Sequence, residues 1–151
     1  MRAEAGAAGL LVPDLPEEQL PALQHAAAAH GLELVLLVTP ATPTAEDVQR
    51  LARASQGFVY LASVAGPTGE RQGVAPKVAD HIEKLHAWTD TPVCVGFGVS
   101  GPEQARQIRA WGAEGVICGS ALARALGESG SKEEGLRKMA ELARSLREAI
   151  S

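Results

Sequence analysis

Two short apolar runs near the end of the chain each break into a glycine turn that opens a helix-forming stretch. They read Val93-Cys94-Val95-Gly96-Phe97-Gly98-Val99-Ser100 and Gly115-Val116-Ile117-Cys118-Gly119-Ser120. Gly98 and Gly119 let the backbone approach a ligand closely, and N–H groups at the head of a helix favour an anion. The hydroxyl of Ser120 supplies one further donor. Neither turn holds Lys or Arg, so backbone N–H groups and helix dipoles would carry the binding of a phosphate. Glycine after a strand is also ordinary turn chemistry. Two such turns in successive strand–helix units, each beside a serine, favour the phosphate.

Other candidates are fewer. Ser63 to Gly73 is a small, polar, glycine-rich loop, suited either to closing over a ligand or to a solvated connection. Asp14 follows the first strand and either faces a ligand or caps the next helix through Asp14-Leu15-Pro16-Glu17. His25, His30, His81 and His86 fall on helices, without the spacing of a metal pair, and read as surface residues. Cys94 and Cys118 read as buried free thiols within core strands. No nucleophile–base pair, Walker loop or metal cluster is apparent in the sequence.

Alternating elements position these groups. Apolar runs at Leu10 to Pro13, Leu34 to Val38, Phe58 to Ser63, Val93 to Phe97 and Gly115 to Cys118 are apolar on both faces, as buried parallel strands are. Helical patterns cover Pro16 to His30, Pro43 to Ser55, Pro76 to Trp88, Pro102 to Trp111, Ala121 to Leu126 and Lys132 to Ile150. The prolines suit first helical turns, Thr42 suits an N-cap, and Ser100 with Glu103 fits a capping box. Pro21 would shift or kink the first helix, and Gly31, Gly57 and Gly112 fit helix stops. Leu136, Met139, Leu142, Leu146 and Ile150 form the apolar stripe of the last helix. This order predicts a parallel α/β sheet, either doubly wound or a barrel. The short helix after Gly119-Ser120 favours a (β/α)8 barrel, where the loops after strands 7 and 8 hold phosphate.

Such a barrel rarely has fewer than about 200 residues, and this sequence has 151. Arg2 to Ala5 reads as the last turn of a helix and Gly6 as its stop, so a longer pattern is expected to precede residue 1. A net charge of −4 and the lack of a basic tract argue against nucleic acid. No apolar run approaches a membrane span. The opening residues, with Glu4 and no apolar core, do not read as a signal peptide.

Several motifs, in this order and spacing, resemble the C-terminal part of the tryptophan synthase alpha subunit. They are Leu11-Val12-Pro13-Asp14-Leu15-Pro16, Phe58-Val59-Tyr60-Leu61-Ala62-Ser63, Gly66-Pro67-Thr68-Gly69, Gly96-Phe97-Gly98-Val99-Ser100 with Pro102-Glu103-Gln104, and Gly119-Ser120-Ala121. The resemblance covers essentially the whole chain. It implies one partial domain over residues 1–151, an incomplete TIM barrel of about five β/α units corresponding to strands 4–8. It implies a cytoplasmic lyase (plastid in plants) that cleaves indole-3-glycerol phosphate to indole and glyceraldehyde 3-phosphate. It implies no cofactor and no metal of its own, and a beta-subunit partner, in an alpha2beta2 complex, that carries PLP. Carried over, Gly69, Gly98, Val99, Gly119 and Ser120 would bind phosphate. Leu11, Leu37, Tyr60, Phe97 and Ile117 would line the indole pocket. Thr68 would lie in the closing loop, and Asp14 at an acidic position after strand 4. The family's catalytic glutamate and aspartate lie on strand 2 and the loop after it, outside the matched segments. The alternative is a non-catalytic, phosphate-binding half-barrel that assembles with a partner or its missing half. A different phosphate-binding barrel, an epimerase or isomerase, fits less well because of Tyr60 and the Gly66 to Gly69 loop. An opened barrel leaves strand edges and apolar interior exposed, so a chain of these residues alone is expected to associate.

Overall fold

A computed structural model of the protein describes residues 6–39, 42–62, 77–96 and 98–151. Its described strands are β1 (Gly9–Leu11), β2 (Glu33–Val38), β3 (Val59–Ala62), β4 (Val93–Gly96) and β5 (Gly115–Ile117). The helices are α1 (Leu20–Ala29), α2 (Ala45–Ala54), α3 (Lys77–His86), α4 (Pro102–Ala110), α5 (Ser120–Gly127) and α6 (Lys132–Ile150). All neighbouring strands are parallel and their spatial order is their chain order. A doubly wound sheet reverses its strand order at a switch point; this sheet does not. The expected architecture therefore holds, as a five-stranded half-barrel.

One face of the sheet meets the helices. Val38, Val59, Leu61, Val93 and Val95 join Ile82, Leu85 and Ile108 in the main core, while Leu34 and Leu36 pack with Leu20, Ala27 and Leu32. Because strand side chains alternate, Leu37, Tyr60, Cys94 and Ile117 are directed to the concave face, and none of them belongs to the helix-side clusters.

β2 pairs with β1 through its first half and with β3 through its second. Two N–H groups near the changeover take side-chain acceptors from the end of α2. Leu34 N–H donates to Gln56 Oε1 at 3.0 Å and Leu36 N–H to the buried Ser55 hydroxyl at 2.9 Å. Side-chain acceptors thus satisfy backbone groups where the ladder shifts.

Several helix boundaries differ from the sequence reading. Thr44, not Thr42, caps α2, accepting from Asp47 N–H at 3.1 Å. Thr42 instead accepts from Thr39 N–H at 3.1 Å in the turn after β2, which leaves Pro43 ahead of the helix. The Ser100–Glu103 capping box does not form: Gly101 is the N-cap of α4, and Glu103 pairs with Arg106. Pro21 shifts the start of α1, which opens at Leu20 after a 3₁₀ turn over Glu17–Gln19. Gly31, Gly57 and Gly112 have positive φ, as the stop reading requires. The apolar line of α6 excludes Leu136, which is 50% exposed. Gly135 is buried there instead, packed so closely on the end of α5 that a Cβ on it would stand 2.7 Å from the Leu126 carbonyl oxygen. Pro76 and residues 1–5 lie outside the described residues.

At the opposite end of the sheet from the glycine turns, Glu114 links three elements. It accepts from Val93 N–H at 2.7 Å and lies 3.2 Å from His86 Nε2. Burial pushes its carboxyl up, but Val93 N–H and the His86 ring outweigh this and hold it below the usual range. A depressed carboxylate stabilises the fold above its unfolded pKa and loses that contribution as pH falls through the folded value. Glu114→Gln is therefore expected to flatten the loss of unfolding free energy below about pH 4.5, the ordinary range of a glutamate. An unchanged acid dependence in urea titrations would contradict the linkage. The two faces of the sheet are tested by a pair of variants. Leu61→Ala, on the helix face, should cost about 2–5 kcal/mol, whereas Leu37→Ala on the concave face should cost less than about 1.5 kcal/mol. Equal losses in urea unfolding would contradict the assignment of faces.

Candidate functional site

The concave face and the strand ends above it form the candidate site. The register aligns Leu11 with Val35, Leu37 with Tyr60, Tyr60 with Cys94, and Gly96 with Ile117. Leu11, Leu37, Tyr60 and Ile117 are all half-buried, whereas Leu34, Val38, Val59, Val93 and Val95 on the other face are fully buried. They give an apolar surface suited to a flat aromatic group. The Tyr60 ring lies over Gly96, where a Cβ would stand 2.6 Å from Cζ. Cys94 Sγ lies over Gly115 in the same way, 2.7 Å from where a Cβ would be. Gly96 and Gly115 thus make room for larger neighbours, a role the sequence reading missed. Burial raises the phenol pKa of Tyr60; burial, reinforced by the Glu114 carboxylate, raises that of the Cys94 thiol.

The two glycine turns leave adjacent strands β4 and β5. Gly98 adopts φ +80°, a conformation other residues take at a cost. Val99 then buries its side chain in the main core, at 5% exposure, which fixes the turn to the scaffold. Gly119 is exposed and is the N-cap of α5 without a side-chain cap. The first N–H groups of a helix have no partner within it. Here they belong to Ser120 and its successors, and Ser120 is itself exposed. Gly119 has φ −116° and ψ −70°, and an added Cβ would meet nothing within 4 Å among the described residues. Neither backbone conformation nor packing against those residues requires glycine at this position.

Asp14 is exposed in the turn after β1 and caps no helix. Its capping alternative fails because the first helical turn starts at Glu17, after Pro16, with no side-chain cap. The turn itself is tied to α2: Arg50 Nη2 contacts Glu17 Oε1 at 2.5 Å and Asp47 Oδ1 at 3.0 Å. The Thr44 hydroxyl and then Arg50 lower the Asp47 pKa. Beneath these turns lies a cleft of about 190 Å³ that Leu37 and Val12 help to line. Gly69, Thr68 and Phe97, with the whole of the Ser63 to Gly73 loop, lie outside the described residues.

The cysteines and histidines also sit differently from the sequence reading. Both thiols are half-buried rather than buried, because Cys94 faces the concave side and Cys118 follows the end of β5. His25, His30 and His86 are exposed; His81 is half-buried. No group of three or more His, Cys, Asp or Glu among the described residues is placed to hold a metal ion. No helix among them is long and apolar enough to cross a membrane.

The whole chain, residues 1–151, matches the family model described as tryptophan synthase alpha chain. A tryptophan synthase alpha chain from a Picosynechococcus species is 51% identical over 149 residues, covering 99% of this chain and 56% of the relative. The structure of Mycobacterium tuberculosis tryptophan synthase superimposes with a TM-score of 0.82 at 38% identity, over 98% of this chain and 53% of that one. A mutant tryptophan synthase alpha-subunit from the hyperthermophile Pyrococcus furiosus gives a TM-score of 0.83 at 31% identity, over 97% of this chain and 57% of that one. The chain spans about half the length of the curated relatives it matches. With every residue matched, and with its five parallel strands superimposing on that fold, the chain belongs to the tryptophan synthase alpha chain family.

Proposed function

We propose that residues 1–151 are the substrate-anchoring part of a lyase of tryptophan biosynthesis, which cleaves indole-3-glycerol phosphate to indole and glyceraldehyde 3-phosphate. Gly98, Val99, Gly119 and Ser120, with Gly69, hold the phosphate. Leu11, Leu37, Tyr60, Phe97 and Ile117 receive the indole. Thr68 belongs to the loop that closes over the substrate, and Asp14 stands at the rim. The observation that carries this reading is Gly119. It heads α5 beside the exposed Ser120, and nothing among the described residues explains its missing Cβ. A ligand oxygen lying against the backbone explains it. The half-buried apolar residues on the adjoining concave face supply the other half of a ligand that is anionic at one end and aromatic at the other.

Cleavage of the bond between the indole and the glycerol chain requires a proton on the indole ring and removal of one from a glycerol hydroxyl. The family resemblance assigns both to carboxylates on strand 2 and the loop after it, upstream of the segments matched here. Each acid–base step typically contributes about 10²–10⁴-fold. In this reading the chain needs no cofactor of its own, works in the cytoplasm, and delivers indole to a PLP-bearing beta chain.

Residues 1–151 alone are expected to bind indole-3-glycerol phosphate yet release no indole above the uncatalysed background, with or without a beta chain. Gly119→Ala should weaken that binding about tenfold, or ~1.4 kcal/mol, while costing no more than about 1 kcal/mol of stability through the altered N-cap. Calorimetric titration and urea unfolding separate the two effects. Binding unaffected by Gly119→Ala would contradict the phosphate assignment, and appreciable indole release would contradict the upstream placement of the acid–base pair.

A further inference from the structure

We infer that Cys118 is a positioning residue, whose thiol holds the two phosphate turns in register by hydrogen-bonding across them. The inference rests on the phosphate reading of Gly98, Val99, Gly119 and Ser120. The β4–β5 ladder ends at the pair Gly96 and Ile117. Among the described residues no ladder pair beyond it ties one turn to the other. Cys118 is the first residue past β5, and its Sγ lies 3.2 Å from the Val99 carbonyl oxygen, within hydrogen-bond reach of a thiol donor.

Three features give this contact consequence. The Val99 side chain is 5% exposed and packs in the main core, with Cys118 packed against the same cluster, so both ends of the contact are anchored. A part-buried carbonyl that loses its donor pays a desolvation penalty unless its peptide turns to find another. The peptide that carries it joins Val99 to Ser100, so its rotation changes ψ of Val99 and φ of Ser100 and alters the chain where the turn leads into α4. Loss of the thiol donor therefore loosens the backbone at Val99, one of the residues assigned to the phosphate. The partner turn at Gly119 and Ser120 stays with α5. A site built from backbone donors has no long side chain to compensate, so its affinity depends on the spacing of the two turns.

The test uses two substitutions with inorganic phosphate as the probe. Cys118→Ala removes the donor; Cys118→Ser keeps a hydroxyl donor in place. Phosphate affinity by calorimetry and stability by urea unfolding are measured for both variants and the unmodified chain. Cys118→Ala is expected to bind phosphate about tenfold more weakly, and Cys118→Ser within about twofold of the unmodified chain, with both variants folded. Rescue by serine is the outcome a merely space-filling role for Cys118 would not produce. If Cys118→Ala binds phosphate as the unmodified chain does, or if serine does not rescue, the positioning role is overturned while the phosphate site stands. If the unmodified chain binds no phosphate, the phosphate reading fails and this inference fails with it.

Discussion

Along the ladder between β4 and β5, Cys94 faces Gly115, Val95 faces Val116 and Gly96 faces Ile117, and the rest of the site follows from that register. It places Val95 and Val116 on the helix side, where they join the core, and Cys94, Gly96, Gly115 and Ile117 on the concave side. It ends both strands at the same height, so the two glycine turns emerge side by side. A one-residue slip would exchange the two faces, burying Cys94 and Ile117 against helices and moving the Gly119 turn away from the Gly98 turn. The scaffold is committed by apolar packing on one face, and the site is what that commitment leaves on the other.

The concave face also shows how small residues shape a surface. Tyr60 can lie over β4 only because Gly96 has no side chain, and Cys94 can lean over β5 only because Gly115 has none. These glycines are fixed by their neighbours. Gly98 is fixed by its own torsion. Gly119 is fixed by neither, which separates it from the others and directs attention to a ligand.

Strand positions were legible in the sequence because parallel strands buried on one face and half-buried on the other remain apolar throughout. The concave placement of Leu11, Leu37, Tyr60 and Ile117 follows instead from strand alternation and the register. Caps were harder to place. Thr42 and Thr44 are equally good cap residues, and the choice between them depends on how the turn after β2 closes through Thr39. Ser100 lost its role to Gly101 for a similar reason, because the extended backbone at Gly101 sets where α4 begins. The contacts that left no sequence signal are non-local. His86 and Glu114 are 28 residues apart, and the thiol of Cys118 meets a backbone carbonyl 19 residues away. A carbonyl carries no residue-specific mark, so no pattern of side chains could have announced that partner.

In the proposed site the heads of the two turns together bind a phosphate through backbone N–H groups. The most direct measurement follows the backbone amide resonances of the ¹⁵N-labelled chain as inorganic phosphate is added. Saturable, concerted shifts of the Gly98, Val99, Gly119 and Ser120 amides are expected. A cleft of about 340 Å³, lined by Arg124, Glu128, Ser129, Lys138 and Leu142 and reaching Ser100 and Ala121, lies beside α5 and α6 as an internal comparison. Shifts centred on that cleft, with the four turn amides unmoved, would place phosphate away from the turns and overturn the assignment.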